Sequence, residues 1–242
     1  MTDALFKNGY QIIKASNIYY LDKVKKEYLK IAKKVGFDGS LEELNNVSEK
    51  DLNKLHIDFN RESKDANFNL INAFSKKLIP VLGDTIFLQR QPYLRAKKHN
   101  LLSTATVAHN DFDFGHSHLG FNIWTTLYDI SHDEGIYIYD MEDSRKIYSS
   151  FKFDKHLSMH IKKLKFEHKK KYIHLKYGEA VLFSNLCIHG ASLLKTKHNR
   201  VSVNIHLQNF NIPTGEKGPE LFTIARLTAN NTYKKICPHN WF

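Results

Sequence analysis

The sequence has few cysteines and prolines, with two and five in 242 residues. Two cysteines, Cys187 and Cys237, are too few for the disulfide framework of a small secreted domain, and they suit a reducing compartment. No uninterrupted apolar stretch approaches the roughly 18 residues of a membrane-spanning helix. The first residues also lack the apolar segment and small-residue cleavage site of a signal peptide. We therefore expect a cytoplasmic protein without a membrane span.

The composition is that of a folded protein, with 42% hydrophobic and 12% aromatic residues. Lysine and arginine outnumber the acidic residues, giving a formal net charge of +11. Segment 152–177 concentrates this charge, since it holds nine lysines against Asp154 and Glu167. This excess suits an anionic partner, such as a nucleic acid, a phosphorylated small molecule or an acidic carrier protein. Lysines that only solvate the surface would give the same pattern.

Helical patterns dominate the first third of the chain. One helix is predicted to stop at Gly36, because its apolar residues recur at helical spacing. Those residues are Leu21, Val24, Tyr28, Ile31 and Ala32. The patterns of segments 41–64 and 65–83 predict further short helices. We expect Pro80 and Gly83 to end them.

Short apolar and aromatic runs replace the helical pattern from about residue 84. The predicted strands lie in TIFLQRQPYLRA, GFNIWTTLYDI, GIYIYD, YIHLKYG, EAVLFSN and RVSVNIHLQNF. Successive strands without intervening helices favour an antiparallel sandwich or barrel over a Rossmann sheet. We predict one continuous domain over 1–242, with a mostly helical part at 1–83, a β core at 84–210 and a C-terminal extension at 211–242.

A metal site is predicted from three residues far apart in sequence. His109 and Asp111 are two positions apart, so both side chains project to the same face of an extended segment. An imidazole nitrogen beside a carboxylate suits divalent iron, and one further histidine would complete a facial set of two histidines and one carboxylate. His189 follows a glycine turn and the apolar run EAVLFSN, so we expect it at a strand end.

Other interpretations of these residues stay open. A lone His-x-Asp tripeptide usually forms hydrogen bonds at a surface. Asp113, His116 and His118 share the loop of the first two ligands, so a shifted ligand choice is conceivable. Cys187 lies two residues before His189 and offers a soft ligand, although buried packing is the more common role of such a cysteine.

Arg200 opens a strict alternation eleven residues after His189. The apolar positions are Val201, Val203, Ile205 and Leu207, and the polar positions are Ser202, Asn204, His206 and Gln208. The polar face would point to solvent in an ordinary half-buried strand. In a barrel it would point inward, where Arg200 would pair with a dicarboxylate.

The order HND, GEAVLFSNLCIHGA and NRVSV resembles the iron(II)- and 2-oxoglutarate-dependent oxygenases, specifically their phytanoyl-CoA dioxygenase-like branch. The N-terminal FKNGYQIIKASNIYYLDKVKKEY is similar to the opening strand and helix of that branch. The resemblance covers most of the chain and is best from about 84 to 208. It implies a mainly β fold with flanking helices, the double-stranded β-helix or jelly roll that cupins share.

The resemblance also implies roles for individual residues. His109, Asp111 and His189 would bind iron(II), and Arg200, assisted by Ser202, would hold the distal carboxylate of 2-oxoglutarate. The protein would then be a dioxygenase that uses dioxygen to hydroxylate a small molecule. A carboxylate at Asp111 favours hydroxylation over the halogenating variants, which lack it.

Four further residues are candidates for contact with the cosubstrate or the substrate. Asn122 and Trp124 lie at alternate positions of a predicted strand and would line the cosubstrate pocket, although Trp124 fits the core equally well. Tyr93 and Arg95, in PYLRA, are candidate substrate residues, and Arg95 also suits a surface position. PYLRA and HNDFDFGHSHLGFNIWTTLYD look most like branch members from bacterial carbohydrate and natural-product pathways, which suggests an anionic intermediate such as a sugar derivative as substrate.

Two other functions are consistent with the sequence. The net charge suits a nucleic-acid-binding or nucleic-acid-modifying protein, but the basic residues are not interleaved with a recognisable aromatic stacking platform. A cupin-like metal-binding isomerase would use the barrel and the metal without oxygen chemistry. It would produce no succinate and would not depend on Arg200. The sequence makes no prediction of oligomeric state.

Overall fold

A computed structural model of the chain describes residues 2–99, 106–130, 135–151, 157–191 and 199–236. Cys237 and Asp154 lie outside these ranges. The described helices are α1 Thr2–Asn8, α2 Ile18–Val35, α3 Glu49–Glu62, α4 Ala66–Ala73, α5 Ser75–Leu82, α6 Met141–Ser149 and α7 Leu157–Lys163. None of them combines the length and apolar character needed to cross a bilayer.

The described strands form two antiparallel sheets. Their bounds are β1 Tyr10–Lys14, β2 Thr85–Gln89, β3 Tyr93–Lys97, β4 Thr106–His109, β5 Phe121–Thr126, β6 Tyr137–Ile138, β7 Lys171–Tyr172, β8 Glu179–Ser184, β9 His189–Ala191, β10 Arg200–Asn209, β11 Phe222–Leu227 and β12 Tyr233–Lys235. The large sheet has the order β1-β8-β5-β10-β2-β11-β12, with β3 also paired to β10. The small sheet has the order β4-β9-β6-β7. The predicted mainly β jelly roll with flanking helices is confirmed.

Local sequence signals set both ends of α2. The Asn17 side chain accepts a hydrogen bond from the Tyr19 N–H at 3.2 Å, which caps the N-terminus. Gly36 ends the helix in the left-handed conformation at φ 105°, and its N–H donates to the Ala32 and Lys33 carbonyls. The five predicted apolar positions are all buried.

The predicted helix stop at Pro80 is wrong. Pro80 lies inside α5, which continues to Leu82 and ends at Gly83, whose N–H donates to the Ile79 carbonyl. A proline removes one N–H, and its fixed φ is compatible with helical backbone. Pro80 lies near the end of this eight-residue helix. The helix therefore loses only one backbone hydrogen bond, the one that the N–H of residue 80 would donate.

The strand predicted in YIHLKYG is largely wrong, because only its first residue, Tyr172, lies in a strand. Ile173 and Leu175 still alternate into the core. The Ile173 N–H donates to the Ile136 carbonyl, and the Leu175 carbonyl accepts from the Ile130 N–H. Buried side chains therefore alternate with more exposed ones here, although the backbone forms isolated hydrogen bonds and not the continuous hydrogen-bond ladder of a strand.

β10 lies at the centre of the large sheet. Residues 202–207 pair with β5 along one edge, while β3 and then β2 pair along the other. Its apolar side chains pack in one core with residues of the N-terminal helices. Its polar residues, Arg200 to Gln208 at alternate positions, are all buried as well. Both faces of β10 are therefore covered, which excludes the solvent-facing interpretation of the polar alternation.

The large sheet also uses strands from outside segment 84–210. β1 pairs with β8 along its whole length, from Tyr10–Phe183 to Lys14–Glu179. β11 pairs with β2, opposite the edge that β10 occupies. The N-terminal part thus contributes β1, and the C-terminal extension contributes β11 and β12, to the sheet that carries β10.

Candidate metal centre

The small sheet brings His109 and His189 together. β4 ends at His109, β9 begins at His189, and the two residues are direct partners across the antiparallel pair. Asp111 lies two residues beyond β4. Its Oδ1 is 3.8 Å from His109 Nε2 and 3.7 Å from His189 Nε2. Ligand atoms of all three side chains lie within 4.8 Å of one another.

Both histidines present the same ring nitrogen to Asp111. His109 Nδ1 bonds the Val107 carbonyl at 2.8 Å, and His189 Nδ1 bonds the Cys187 carbonyl at 3.0 Å. Each carbonyl accepts the Nδ1 proton, so each Nε2 keeps a free lone pair. Burial lowers the pKa of each imidazole to about 4, and for His109 the neighbouring His189 adds to the effect. At neutral pH both rings are therefore uncharged, and each Nε2 can donate its lone pair to a metal.

Asp111 is fixed through its backbone and its side chain. The N–H groups of Asp111 and Phe112 both donate to the Asn185 carbonyl, at 3.0 and 3.2 Å. Asn122 donates from Nδ2 to Asp111 Oδ2 at 3.2 Å. Burial raises the pKa of Asp111 to about 6, because a charged carboxylate is costly to bury without a partner. A divalent cation would supply that partner.

The donor set fits iron(II). Two neutral imidazole nitrogens and one carboxylate oxygen are the ligands of a facial triad, which leaves coordination positions free for other molecules. The hydrogen bonds to both Nδ1 atoms and to Asp111 Oδ2 match the usual surroundings of such ligands.

A cavity of about 300 Å³ lies beside the three ligands, between the two sheets. The residues that line it include Tyr93, Arg95, Asn122, Trp124 and Arg200. Ser202 is buried on the same strand face but is not among the described residues that line the cavity. Its hydroxyl donates to the Arg95 carbonyl at 3.3 Å.

Positive charge collects where Arg200 enters the cavity. The Arg200 side chain is 1% exposed, and its guanidinium carbon lies 5.2 Å from the Trp124 ring centroid, a cation–π contact. Lys97 is the direct strand partner of Arg200 and is also buried. Burial, and then the charges of Arg200 and Arg95, lower the pKa of Lys97 to about 6. Lys97 is therefore mostly neutral at pH 7, and the positive charge that faces the cavity belongs to Arg200 and Arg95.

The other candidate ligands take no part in the cluster. Asp113 accepts a hydrogen bond from the Tyr148 hydroxyl, and His118 is exposed next to the Phe112 ring. His116 is buried, but its Nε2 contacts the Lys217 amine. Cys187 is buried, its thiol donates to the Gly9 carbonyl, and burial raises its pKa to about 12. Cys187 therefore packs in the core.

The sequence analysis did not assign roles to Asn185, His206 and Lys217. Asn185 bonds the ligand loop at two points, through its carbonyl and through a 2.9 Å bond from Nδ2 to the Ser117 carbonyl. His206 was visible only as one member of the polar face of β10. Lys217 lies in a loop of the C-terminal extension, where no sequence pattern marks it.

The lysine-rich segment lies away from the cavity. Its described part, 157–177, forms α7, a short 3-10 helix and β7, and most of its lysines are exposed. None of these described lysines lines the cavity beside the ligands. The charge of the lysines that the structure describes in this segment is therefore a property of the outer surface.

Comparison with known protein families and with curated proteins finds no match. Solved structures do match. The nickel complex of ThoJ, a non-heme monooxygenase, is 12% identical at a TM-score of 0.58, covering 98% of this chain and 89% of that one. SnoK, a non-heme alpha-ketoglutarate-dependent carbocyclase from nogalamycin biosynthesis, is 13% identical at 0.57, covering 91% and 93%. HygX from Streptomyces hygroscopicus, with nickel and 2-oxoglutarate bound, is 12% identical at 0.53, covering 86% and 85%. The chain thus has the jelly-roll fold of the non-haem iron- and 2-oxoglutarate-dependent oxygenases.

Proposed function

We propose that this protein is a non-haem iron(II)- and 2-oxoglutarate-dependent dioxygenase that acts on a small molecule. The observation that carries the proposal is the convergence of two histidine nitrogens and one carboxylate beside a cavity that also holds a buried arginine. The bound nickel and 2-oxoglutarate of HygX, which shares the fold, support the same interpretation.

In this proposal each residue has a defined task. His109, Asp111 and His189 hold iron(II), and Arg200 binds the distal carboxylate of 2-oxoglutarate through a charge-assisted pair. Trp124 lies against the Arg200 guanidinium and restricts its orientation. Iron(II) bound together with 2-oxoglutarate supplies the oxidation of a substrate by dioxygen. The protein contributes orientation, charge and exclusion of water.

We propose hydroxylation as the outcome, on the ground that Asp111 provides the carboxylate ligand. SnoK carries out ring formation on the same fold, so the outcome needs its own measurement. Tyr93 and Arg95 line the cavity and are our candidates for substrate contact, and a sugar or another intermediate of a carbohydrate or natural-product pathway is the substrate class we favour.

The proposal is tested by an anaerobic titration of the purified protein with iron(II) and 2-oxoglutarate. We expect the weak visible charge-transfer band of the metal-bound 2-oxo acid. Arg200→Ala should weaken 2-oxoglutarate binding at least tenfold, because a charge-assisted hydrogen bond contributes about 1.5–3 kcal/mol. Arg145→Ala, at an exposed position of α6, is the matched control and should leave the affinity unchanged.

Asp111→Ala should abolish the band while the circular dichroism spectrum stays that of the wild type. Loss of the fold in this variant would instead make the three residues structural. Metal binding without any band would contradict the oxygenase and favour a cupin-like metal-binding isomerase.

A further inference from the structure

A series of polar side chains extends from Asp111, and the proposed function assigns no role to any of them. His206 Nδ1 lies 3.8 Å from Asp111 Oδ2. The His116 ring stacks on the His206 ring, with centroids 3.6 Å apart and planes 20° apart. Lys217 Nζ then lies 2.7 Å from His116 Nε2. We refer to His116, His206 and Lys217 as the lysine–histidine cluster.

The cluster leaves the lysine with free donors. An ammonium has no acceptor atom, so Lys217 Nζ donates one N–H to His116 Nε2 across their 2.7 Å contact. An ammonium has three N–H donors, which leaves two for another partner. Among the residues that the structure describes, no carboxylate lies within 4 Å of Lys217 Nζ to take them.

The loop around Lys217 is built to hold it in place. The Lys217 N–H donates to the Gly115 carbonyl at 2.9 Å. Gly215 approaches the same loop so closely that a Cβ there would lie 2.7 Å from the Gly115 carbonyl oxygen. The Gln208 side chain donates to the Ile212 and Pro213 carbonyls at the start of the turn. Lys217 is therefore a positioned ammonium.

Two cavities meet at this ammonium. Lys217, His116 and Tyr93 line both the cavity beside the metal ligands and a second cavity of about 260 Å³. The other charged residues of the second cavity, Arg90 and Glu220, are exposed. A molecule that reaches the metal ligands from the second cavity would pass Lys217.

The cluster and Arg200 lie at different ends of β10. Arg200 begins the strand, and His206 follows six residues later, roughly 20 Å along an extended chain. Three cations, Arg95, Arg200 and Lys217, line the cavity beside the metal ligands, and the cosubstrate of the proposed function uses only the one at Arg200.

We propose that Lys217 binds an acid group, a carboxylate or a phosphate, of the substrate, so that the protein acts on a small anion. That the bound anion is a substrate rests on the proposed function, whereas the presence of an anion site at Lys217 does not. His116 fixes the direction of the ammonium, and His206 supports the His116 ring.

The test is calorimetric titration of the metal-free protein with inorganic phosphate and, separately, with acetate. We expect at least one of these anions to bind, and Lys217→Ala to weaken that binding tenfold or more. Lys217→Arg keeps the positive charge and should bind the anion more tightly than Lys217→Ala does. Lys234→Ala removes an exposed lysine that lines neither cavity and should change nothing. Binding of phosphate alone would identify a phosphorylated substrate, and binding of acetate would identify a carboxylate.

Arg200→Ala separates this proposal from the previous one. If it leaves anion binding intact while Lys217→Ala removes it, the anion lies at the cluster, whether or not the charge-transfer band is observed. No binding of either anion, equal binding in the wild type and Lys217→Ala, or binding that only Arg200→Ala removes, would each overturn the proposal.

Discussion

At the residue scale, the position of the Asp111 carboxylate depends on a neighbour from the other sheet. Asn122 lies on β5 opposite His206, and its Nδ2 donates to Asp111 Oδ2. Oδ1 is then the oxygen that faces the two histidines. A carboxylate without this bond would rotate more freely and would lose part of its preorganisation for a metal.

Asn122→Ala should therefore weaken divalent-metal binding about 10- to 100-fold, the usual effect of removing a partner of a metal ligand. Competition with a chromophoric chelator measures the affinity. Thr125→Ala is the matched control, since Thr125 lies on the same strand and bonds the Glu179 carbonyl instead. Thr125→Ala should lower stability and keep the wild-type affinity. An unchanged affinity in Asn122→Ala would mean that Asn122 does not orient the ligand.

At the element scale, α3 protects an open edge of the large sheet. β3 pairs with β10 alone among the described strands. On its other edge the Ala96 N–H donates to His56 Nε2 at 2.9 Å, and the Leu94 N–H donates to Asn60 Oδ1 at 3.4 Å. Both acceptors come from α3, so the helix replaces the missing strand and covers the edge.

This contact predicts a loss of stability in acid. Burial, and then the charge of Arg95, lower the pKa of His56 from its ordinary 6.5 to about 4. Because the folded state disfavours the proton, the contribution of His56 is complete above pH 6.5 and falls as the pH drops toward 4. At pH 5 the loss should be about 2 kcal/mol.

His56→Gln keeps an acceptor for the Ala96 N–H but removes the titration. Urea unfolding of wild type and variant at pH 7.5 and pH 5 should show a smaller acid-induced loss in the variant. All other titrating groups are common to both proteins and cancel in the comparison. Equal losses would show that His56 does not link pH to folding.

Helices and strands that carry capping residues or a regular apolar pattern in their own sequence were predictable. Short strands that depend on pairing with distant segments were not. α2 has a cap, a glycine stop and a regular apolar stripe within its own sequence. β10 has strict alternation over nine of its ten residues, 200–208. β9 has only three residues and lies in none of the predicted strands, and β7 has two residues, of which only Tyr172 lies in a predicted strand. Such short strands form because strands distant in sequence hydrogen-bond to them, and the local amino-acid pattern does not indicate this pairing.

At the scale of the whole molecule, the same distinction applies to the candidate site. His109, Asp111 and Arg200 each lie in a motif that the sequence displays, and the fold brings them to one cavity with His189. Lys217 reaches His116 across 101 residues of sequence, through the close packing of two irregular loops. Loop packing of this kind depends on tertiary contacts and leaves no periodic signal.

The three candidate metal ligands also connect distant parts of the chain, so a metal bound there should stabilise the entire fold. His109 and Asp111 flank the end of β4, and His189 begins β9, which pairs with both β4 and β6. A ligand that binds only the folded state at a hundred times its Kd contributes about 2.7 kcal/mol. For a chain of this length that corresponds to a rise in Tm of about 5 to 11 °C.

Calorimetry of the chelator-treated protein before and after addition of iron(II) under anaerobic conditions should show this rise. His189→Ala should lose most of it, because two ligands bind the metal far more weakly than three. His118→Ala is the matched control, since His118 lies in the same loop as the first two ligands but is exposed, beside the Phe112 ring. It should keep the full rise in Tm. An equal response in both variants would place the metal elsewhere on the molecule.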